Sequence, residues 1–213
     1  MDNFCCQVQC LDSQPKIVNR RSVERFADRV RRDLRAALLD AARDALMTSG
    51  FRGLRMGAIA AAVGVSRQTV YNEFGDKLGL AQALVLDHTA SLLDGIDAAL
   101  TSFPDTSDAI RAAATYVLET SAADPFTKVA MTGEPSVEIL PLLTTRGEPV
   151  LVAARDRIAA HLRARCGDAR DVDLAAETAV RLVVSHLMLN LDPVEVAADK
   201  ITRAVTALLK GTP

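Results

Sequence analysis

Arg67, Gln68, Thr69, Tyr71 and Asn72 crowd into six consecutive positions of a stretch too short to hold a helix alone. Isolated helices below about 12 residues are marginal in water. The chemistry of these side chains is recognition rather than bond-making. Arg and Gln can pair bidentately with base edges in the major groove. Hydroxyl, amide and ammonium groups, which Ser66 and Lys77 add on either side, hold phosphates.

Such a helix needs two others to prop it up. Leu34, Leu38, Ala41, Ala42, Ala45 and Leu46 recur at steps of three and four, one helical face over 34–49. Ser49-Gly50 stops that helix. Met56, Ile59, Ala60 and Val63 mark a short second helix, which Gly64 breaks. Ser66 can accept a hydrogen bond from a backbone N–H of the third helix. Val70 and Phe74 share its inner face, Gly75 ends it, and Asp76 can cap a helix over about 77–100. The turn Val63-Gly64-Val65-Ser66 sets the second and third helices at a steep angle, leaving residues 67, 68, 69, 71 and 72 outward. This is a helix-turn-helix pattern.

The remainder also reads as helix. Thr106 or Ser107 can cap a helix to about 123, and Asp124-Pro125 opens another with Pro in the first turn. Residues 133–149, with three Pro and two Gly, read as an irregular connection with a short apolar turn. Helices follow over about 149–166, 171–191 and 192–210, the last opening on the capping-box arrangement Asp192-Pro193-Val194-Glu195. No alternating strand and no internal repeat stands out. The expected class is all-α.

Composition agrees. Of 213 residues 49% are apolar and 24% charged, the globular range, and Trp is absent. The net charge of −2 is unevenly spread: residues 1–80 carry 13 Lys+Arg and 9 Asp+Glu, while the rest is acidic. A mildly basic head suits a phosphate backbone better than the global charge suggests. No apolar run approaches the ~18 residues of a membrane span, and MDNFCCQVQC lacks a leader's basic start and apolar core. A cytoplasmic location, no membrane partner, no cofactor and no metal are expected. No Ser/His/Asp triad, paired carboxylate or phosphate loop points to an enzyme.

Residues 55–78, RMGAIAAAVGVSRQTVYNEFGDKL, resemble the DNA-binding signature of the tetracycline repressor (TetR) family. The matching positions are Ile59-Ala60, Val63-Gly64-Val65-Ser66, Thr69-Val70-Tyr71, Phe74 and Lys77. The resemblance implies that Ser66, Tyr71 and Lys77 contact phosphates and that Arg67, Gln68, Thr69 and Asn72 face bases. Arg55 stands near the Thr or Ser by which many members grip the backbone, and Glu73 replaces a common His and should point away from DNA. It also implies a dimeric regulator, usually a repressor, that reads a palindromic double-stranded operator and is released by a small-molecule effector. The apolar segment VEILPLL favours an apolar or amphipathic effector, and it resembles regulators of alkane and fatty-acid metabolism.

The expected organisation is a tail over 1–20, a DNA-binding head over 21–78, and a ligand-binding and dimerisation body over 79–213. Tyr116, Phe126, Met131, Leu140, Leu143, Val184 and Met188 are candidates for a ligand cavity. Val183, Leu187 and Leu191, with Ile201, Val205 and Leu208, are candidates for a homodimer interface in which two helices per chain form a four-helix bundle. Arginines 20, 21, 25, 29, 31 and 32 could track phosphates or form a solvated face, since Glu24, Asp28 and Asp33 interleave. Two rivals remain at this point: a redox- or metal-responsive regulator using Cys5, Cys6 and Cys10, and a helical ligand carrier or enzyme with an idle head.

Overall fold

The computed structural model describes residues 20–132, 141–142, 146–167 and 171–210, with no account of the side chains of 20–25 and 130–132. Met131, Leu140 and Leu143, the N-terminal cysteines and the side chains of Arg20, Arg21 and Arg25 therefore lie outside the description. Among the described residues there is helix and no strand.

The chain divides into two compact units, Met1–Ala36 and Ala37–Pro213. In the first, residues 20–36 are helical, and Phe26 and Val30 are exposed. Arg32 donates from Nε to the Asp28 carbonyl at 3.4 Å.

The helices are α1 (Arg20–Gly53), α2 (Met56–Val63), α3 (Arg67–Phe74), α4 (Lys77–Thr101), α5 (Thr106–Ala123), α6 (Pro125–Thr132), α7 (Glu148–Cys166), α8 (Val172–Met188) and α9 (Val194–Lys210). Gly50 takes φ 63° and ψ −166°, so α1 kinks where the sequence pattern stops and then makes a last turn to Gly53. Gly64 sits in the left-handed region at φ 77°, and its N–H closes α2 onto the carbonyls of Ala60 and Ala61. A side chain there would be strained, which is why Gly marks the turn.

Two caps differ from expectation. Asp105, not Thr106 or Ser107, caps α5, with Oδ1 accepting from Asp108 N at 3.0 Å. A carboxylate is the stronger acceptor for an N-terminal amide. At α9 the first helical acceptor is the Pro193 carbonyl, while Asp192 pairs with Lys200 Nζ at 2.7 Å. In turn α8 stops at Met188, short of 191.

In the second unit, the buried side chains of the first helices are Leu38, Leu39, Ala42 and Leu46 of α1, Met56, Ile59 and Ala60 of α2, and Val70 and Phe74 of α3. The body is a separate apolar cluster built from α4, α5, α7, α8 and α9. Ion pairs hold its rim. Arg157 of α7 reaches Asp97 of α4 at 2.7 Å, and Arg111 of α5 reaches Asp199 of α9 at 2.7 Å. The Arg111 hydrogen bond holds the Asp199 carboxyl below its ordinary value. Arg165 donates to the carbonyls of Leu100 and Phe103, covering the open C-terminal end of α4. No described helix is long and apolar enough to cross a membrane.

Candidate functional site

The sequence forms α3 through its caps and its two inward apolar residues. Ser66 Oγ accepts from Thr69 N at 3.1 Å and lies 2.8 Å from Thr69 Oγ1. Gly75 N closes the other end on the Tyr71 carbonyl. Val70 and Phe74 are buried, whereas Arg67, Gln68 and Asn72 are exposed and Thr69 and Tyr71 half-buried. The expected outward face is therefore present as one surface.

Its side chains are ordered in pairs one turn apart. Arg67 Nη2 donates to Tyr71 Oη at 2.9 Å, with the guanidinium 5.2 Å from the ring centroid. Gln68 Nε2 donates to Asn72 Oδ1 at 2.8 Å. Such i, i+4 pairs restrict rotamers and present the polar groups in a fixed direction. Lys77 Nζ lies 4.0 Å from the Phe51 ring centroid, a cation–π contact that seats the ammonium at the start of α4. Arg55 is exposed at the N-cap of α2 and makes no side-chain cap bond.

One residue that positions α3 escaped the sequence reading. A Cβ on Gly79 would lie 2.1 Å from the Phe74 carbonyl oxygen. Gly79 N also donates to Asp76 Oδ1 at 2.8 Å. The end of α3 thus packs on the bare backbone of α4, which only glycine permits.

A second feature lies in the body: an apolar cavity of about 150 Å³. Its walls come from α4 (Val85, Leu92, Ile96), α5 (Ile110, Ala113, Val117), α7 (Ala154, Ile158, Leu162), α8 (Val180, Val183, Val184) and α9 (Ile201, Val205). Of the expected lining residues, Phe126, Val184 and Met188 are there. Tyr116 is not: its phenol lies against Gly95, where a Cβ would come within 2.0 Å of Oη, so it fills the α4–α5 crossing instead. The expected interface residues also sort differently. Ile201 and Val205 are each 1% exposed and face the chain's own cavity, so they cannot form an intersubunit surface. Val183 and Leu187 line the same cavity. Leu208 is half-buried, and Leu191 is 84% exposed.

At one end of the cavity a polar cluster joins three helices. Arg43 of α1 donates to Asp87 Oδ2 of α4 at 2.9 Å and stands 5.1 Å from the Phe126 ring centroid. His88 packs against Phe126 with centroids 4.6 Å apart, and its Nε2 lies 3.2 Å from Thr127 Oγ1 and 3.4 Å from Asp124 Oδ2. Burial pushes the His88 imidazole below its usual value, against the opposing pull of Asp124. The available sequence signal for this cavity was the small-residue face of α5, Ala113, Ala114, Val117 and Ser121, where close packing of large side chains would otherwise be expected. Cys166 is half-buried and free. Among the described residues no group of three or more His, Cys, Asp or Glu could hold a metal.

Residues 38–84 match the family described as bacterial regulatory proteins, tetR family, and residues 105–207 match the bacterial tetracyclin repressor C-terminal domain. The chain is similar to the HTH-type transcriptional regulator AlkX of Mycobacterium tuberculosis: 30% identical over 184 residues, covering 85% of this chain and 87% of that protein. It is similar in structure to the TetR family repressor AlkX of a Dietzia species, implicated in biodegradation of n-alkanes, with TM-score 0.70, 24% identity and coverage of 83% and 95%. RolR without ligand is similar at TM-score 0.58, 20% identity and coverage of 80% and 89%. At those identities the two solved structures establish the fold.

Proposed function

The chain belongs to the tetracycline repressor (TetR) family of DNA-binding transcriptional regulators, and on that premise we propose that it is a repressor, bound to a palindromic operator as a homodimer and released by a small apolar or amphipathic effector. The observation that carries this reading is the polar face of α3, with Arg67, Gln68 and Asn72 exposed above buried Val70 and Phe74. A helix so presented fits the major groove. Arg67, Gln68, Thr69 and Asn72 would read bases, while Ser66, Tyr71, Lys77 and Arg55 would hold phosphates. On DNA the Arg67–Tyr71 and Gln68–Asn72 pairs would exchange internal partners for base and backbone ones. The Ser66 hydroxyl already caps α3, so its contribution would be to fix the helix N-terminus, itself a favourable phosphate seat.

One head spans few base pairs, and two-fold pairing doubles the contacts. The dimer surface suggested by exposure is the outer side of α8 and α9 and the turn between them, where Leu174, Leu189, Leu191 and Val196 are exposed. Leu208 lies on the same last helix. Residues 21–78 would serve as the head and 79–213 as the body, working in the cytoplasm.

The effector would occupy the apolar cavity. An engineered cavity of about 150 Å³ in another protein admits benzene, so a molecule of roughly that bulk fits without expansion. An effector can move the equilibrium only by binding one arrangement of the heads better than the other. Arg43 offers the route. It belongs to α1, pairs with Asp87 on α4 and rests on Phe126, which is part of the cavity wall. A ligand that displaced Phe126 would disturb that bridge. The implication of Dietzia AlkX in n-alkane biodegradation supports an effector from the same chemistry.

The test is an electrophoretic shift of the purified chain on DNA upstream of its own gene, across a range of salt. Binding that is sequence-selective, steepens as salt falls and places two chains on each site supports the proposal. Salt-insensitive or non-selective binding to every candidate promoter contradicts it.

A further inference from the structure

The cavity is not uniform. Its described lining holds no Lys, Arg, Asp or Glu, but it has polar side chains at His88, Thr89, Ser121 and Thr127. Thr89 is satisfied within its own helix, donating to the Val85 carbonyl at 2.8 Å. His88 and Thr127 satisfy one another at 3.2 Å. Ser121 is different. It is 1% exposed, and its hydroxyl has no hydrogen-bond partner among the described residues.

Several helical hydroxyls elsewhere in this chain return to a carbonyl one turn back: Ser91 to Asp87, Thr202 to Ala198 and Thr206 to Thr202. Ser121 forgoes that bond. A buried unsatisfied hydroxyl destabilises a fold, whereas the same group bonded to a ligand does not. Ser121 also lines a second, more polar pocket of about 200 Å³ that shares Thr127 and Leu187 with the first. The hydroxyl therefore stands where apolar space meets polar space.

Resting on the effector-responsive reading above, we infer that the cavity takes a compact apolar molecule bearing one neutral hydrogen-bonding head, a primary alcohol in its simplest form, seated on Ser121 Oγ beside Thr127 and His88. The electrostatics select against an anionic head. Asp124 Oδ2 lies 3.4 Å from His88 Nε2 and already accepts from Thr127 N at 2.6 Å, so its charge faces this corner. A second carboxylate would be desolvated close to it, with no cation among the described walls of the apolar cavity. The outer pocket carries both Lys128 and Asp192 among its lining residues, so it is not a purely cationic seat. A hydroxyl both donates and accepts, matching Ser121 in either role.

Calorimetric titration of the full chain at neutral pH with 1-hexanol, hexanoate and n-hexane tests this. Hexanol should bind about tenfold more tightly than hexanoate. In Ser121→Ala, the preference for hexanol over hexane should fall by about tenfold, or ~1.4 kcal/mol. Ligand-free Ser121→Ala should melt at the same temperature as the unsubstituted chain or higher, because no bond is lost. Thr127→Val, which keeps the shape and removes the neighbouring hydroxyl, should lower the same preference. Hexanoate binding as well as hexanol, an unchanged preference in both variants, or a lower melting temperature for ligand-free Ser121→Ala would each overturn the inference. Equal binding of hexane and hexanol removes the head seat alone. No binding by any of the three removes the cavity as an effector site as well.

Discussion

The polar face of α3 and the cavity of the body are built on opposite plans. The face lies on eight consecutive residues, its side chains are exposed or half-buried, and their partners are one turn away. The cavity draws on α4 to α9, often one residue per turn, and its walls are buried or half-buried. A local surface of this kind tolerates side-chain change without loss of fold, whereas a shared interior does not. On the proposed function, the difference would let one small protein vary what it reads on DNA independently of what it senses.

The largest effect should come from removing what α3 stands on. Phe74→Ala leaves a hole beneath the recognition helix and should cost about 3–5 kcal/mol, seen as an earlier denaturant midpoint, with DNA binding lost. Gly79→Ala attacks the same support from the α4 side. The new Cβ would press on the Phe74 carbonyl, so α3 must shift. DNA affinity should drop more than the melting temperature does. If Gly79→Ala bound DNA as the unsubstituted chain does, the α3–α4 contact would not matter to recognition.

Next come one exposed residue of α3 and one buried residue of the cavity wall. Gln68→Ala should relax base preference by ~1–3 kcal/mol at one position of each half-site, with stability within about 0.5 kcal/mol. Ala113→Leu should do the reverse, filling the cavity from α5. Operator binding should persist while the response to hexanol disappears, as followed by fluorescence anisotropy of labelled DNA. Loss of both activities would mean that the two regions are not separable.

The smallest effects concern the junction. Arg43→Ala breaks a partly exposed ion pair, so its stability cost should be at most about 1 kcal/mol. Its signature should instead be weaker coupling between ligand and DNA affinity. His88 adds a pH dependence. Burial keeps the folded imidazole's pKa below the ordinary value of 6.5, so on acidification the unfolded chain takes up this proton first. Stability should therefore fall as pH drops through that value, and His88→Gln should flatten the slope in melting scans between neutral and mildly acidic pH.

The same contrast governs what the sequence discloses. α3 was legible because its caps Ser66 and Gly75, its inward Val70 and Phe74 and its outward residues all lie within one short window. The lining residues Phe126, Val184 and Met188 were found because large apolar side chains cluster around cavities. Tyr116 misled because the same apolar bulk serves equally at a helix crossing, and nothing local revealed Gly95 beneath its ring. Ile201 and Val205 misled for a related reason: the apolar stripe of an amphipathic helix does not say whether it meets its own chain or another. Ser121, Gly79 and the Arg43–Asp87 pair depend on partners distant in sequence or on backbone approach, which spacing alone does not encode.

The most direct test of the central claim, that α3 reads base sequence, is selection of binding sites from a random DNA pool by the full chain and by Gln68→Ala. The account predicts that the unsubstituted chain enriches an inverted repeat, and that Gln68→Ala enriches the same repeat with one position per half-site made indifferent. Identical motifs from both proteins, or no enriched motif from the unsubstituted chain, would contradict it.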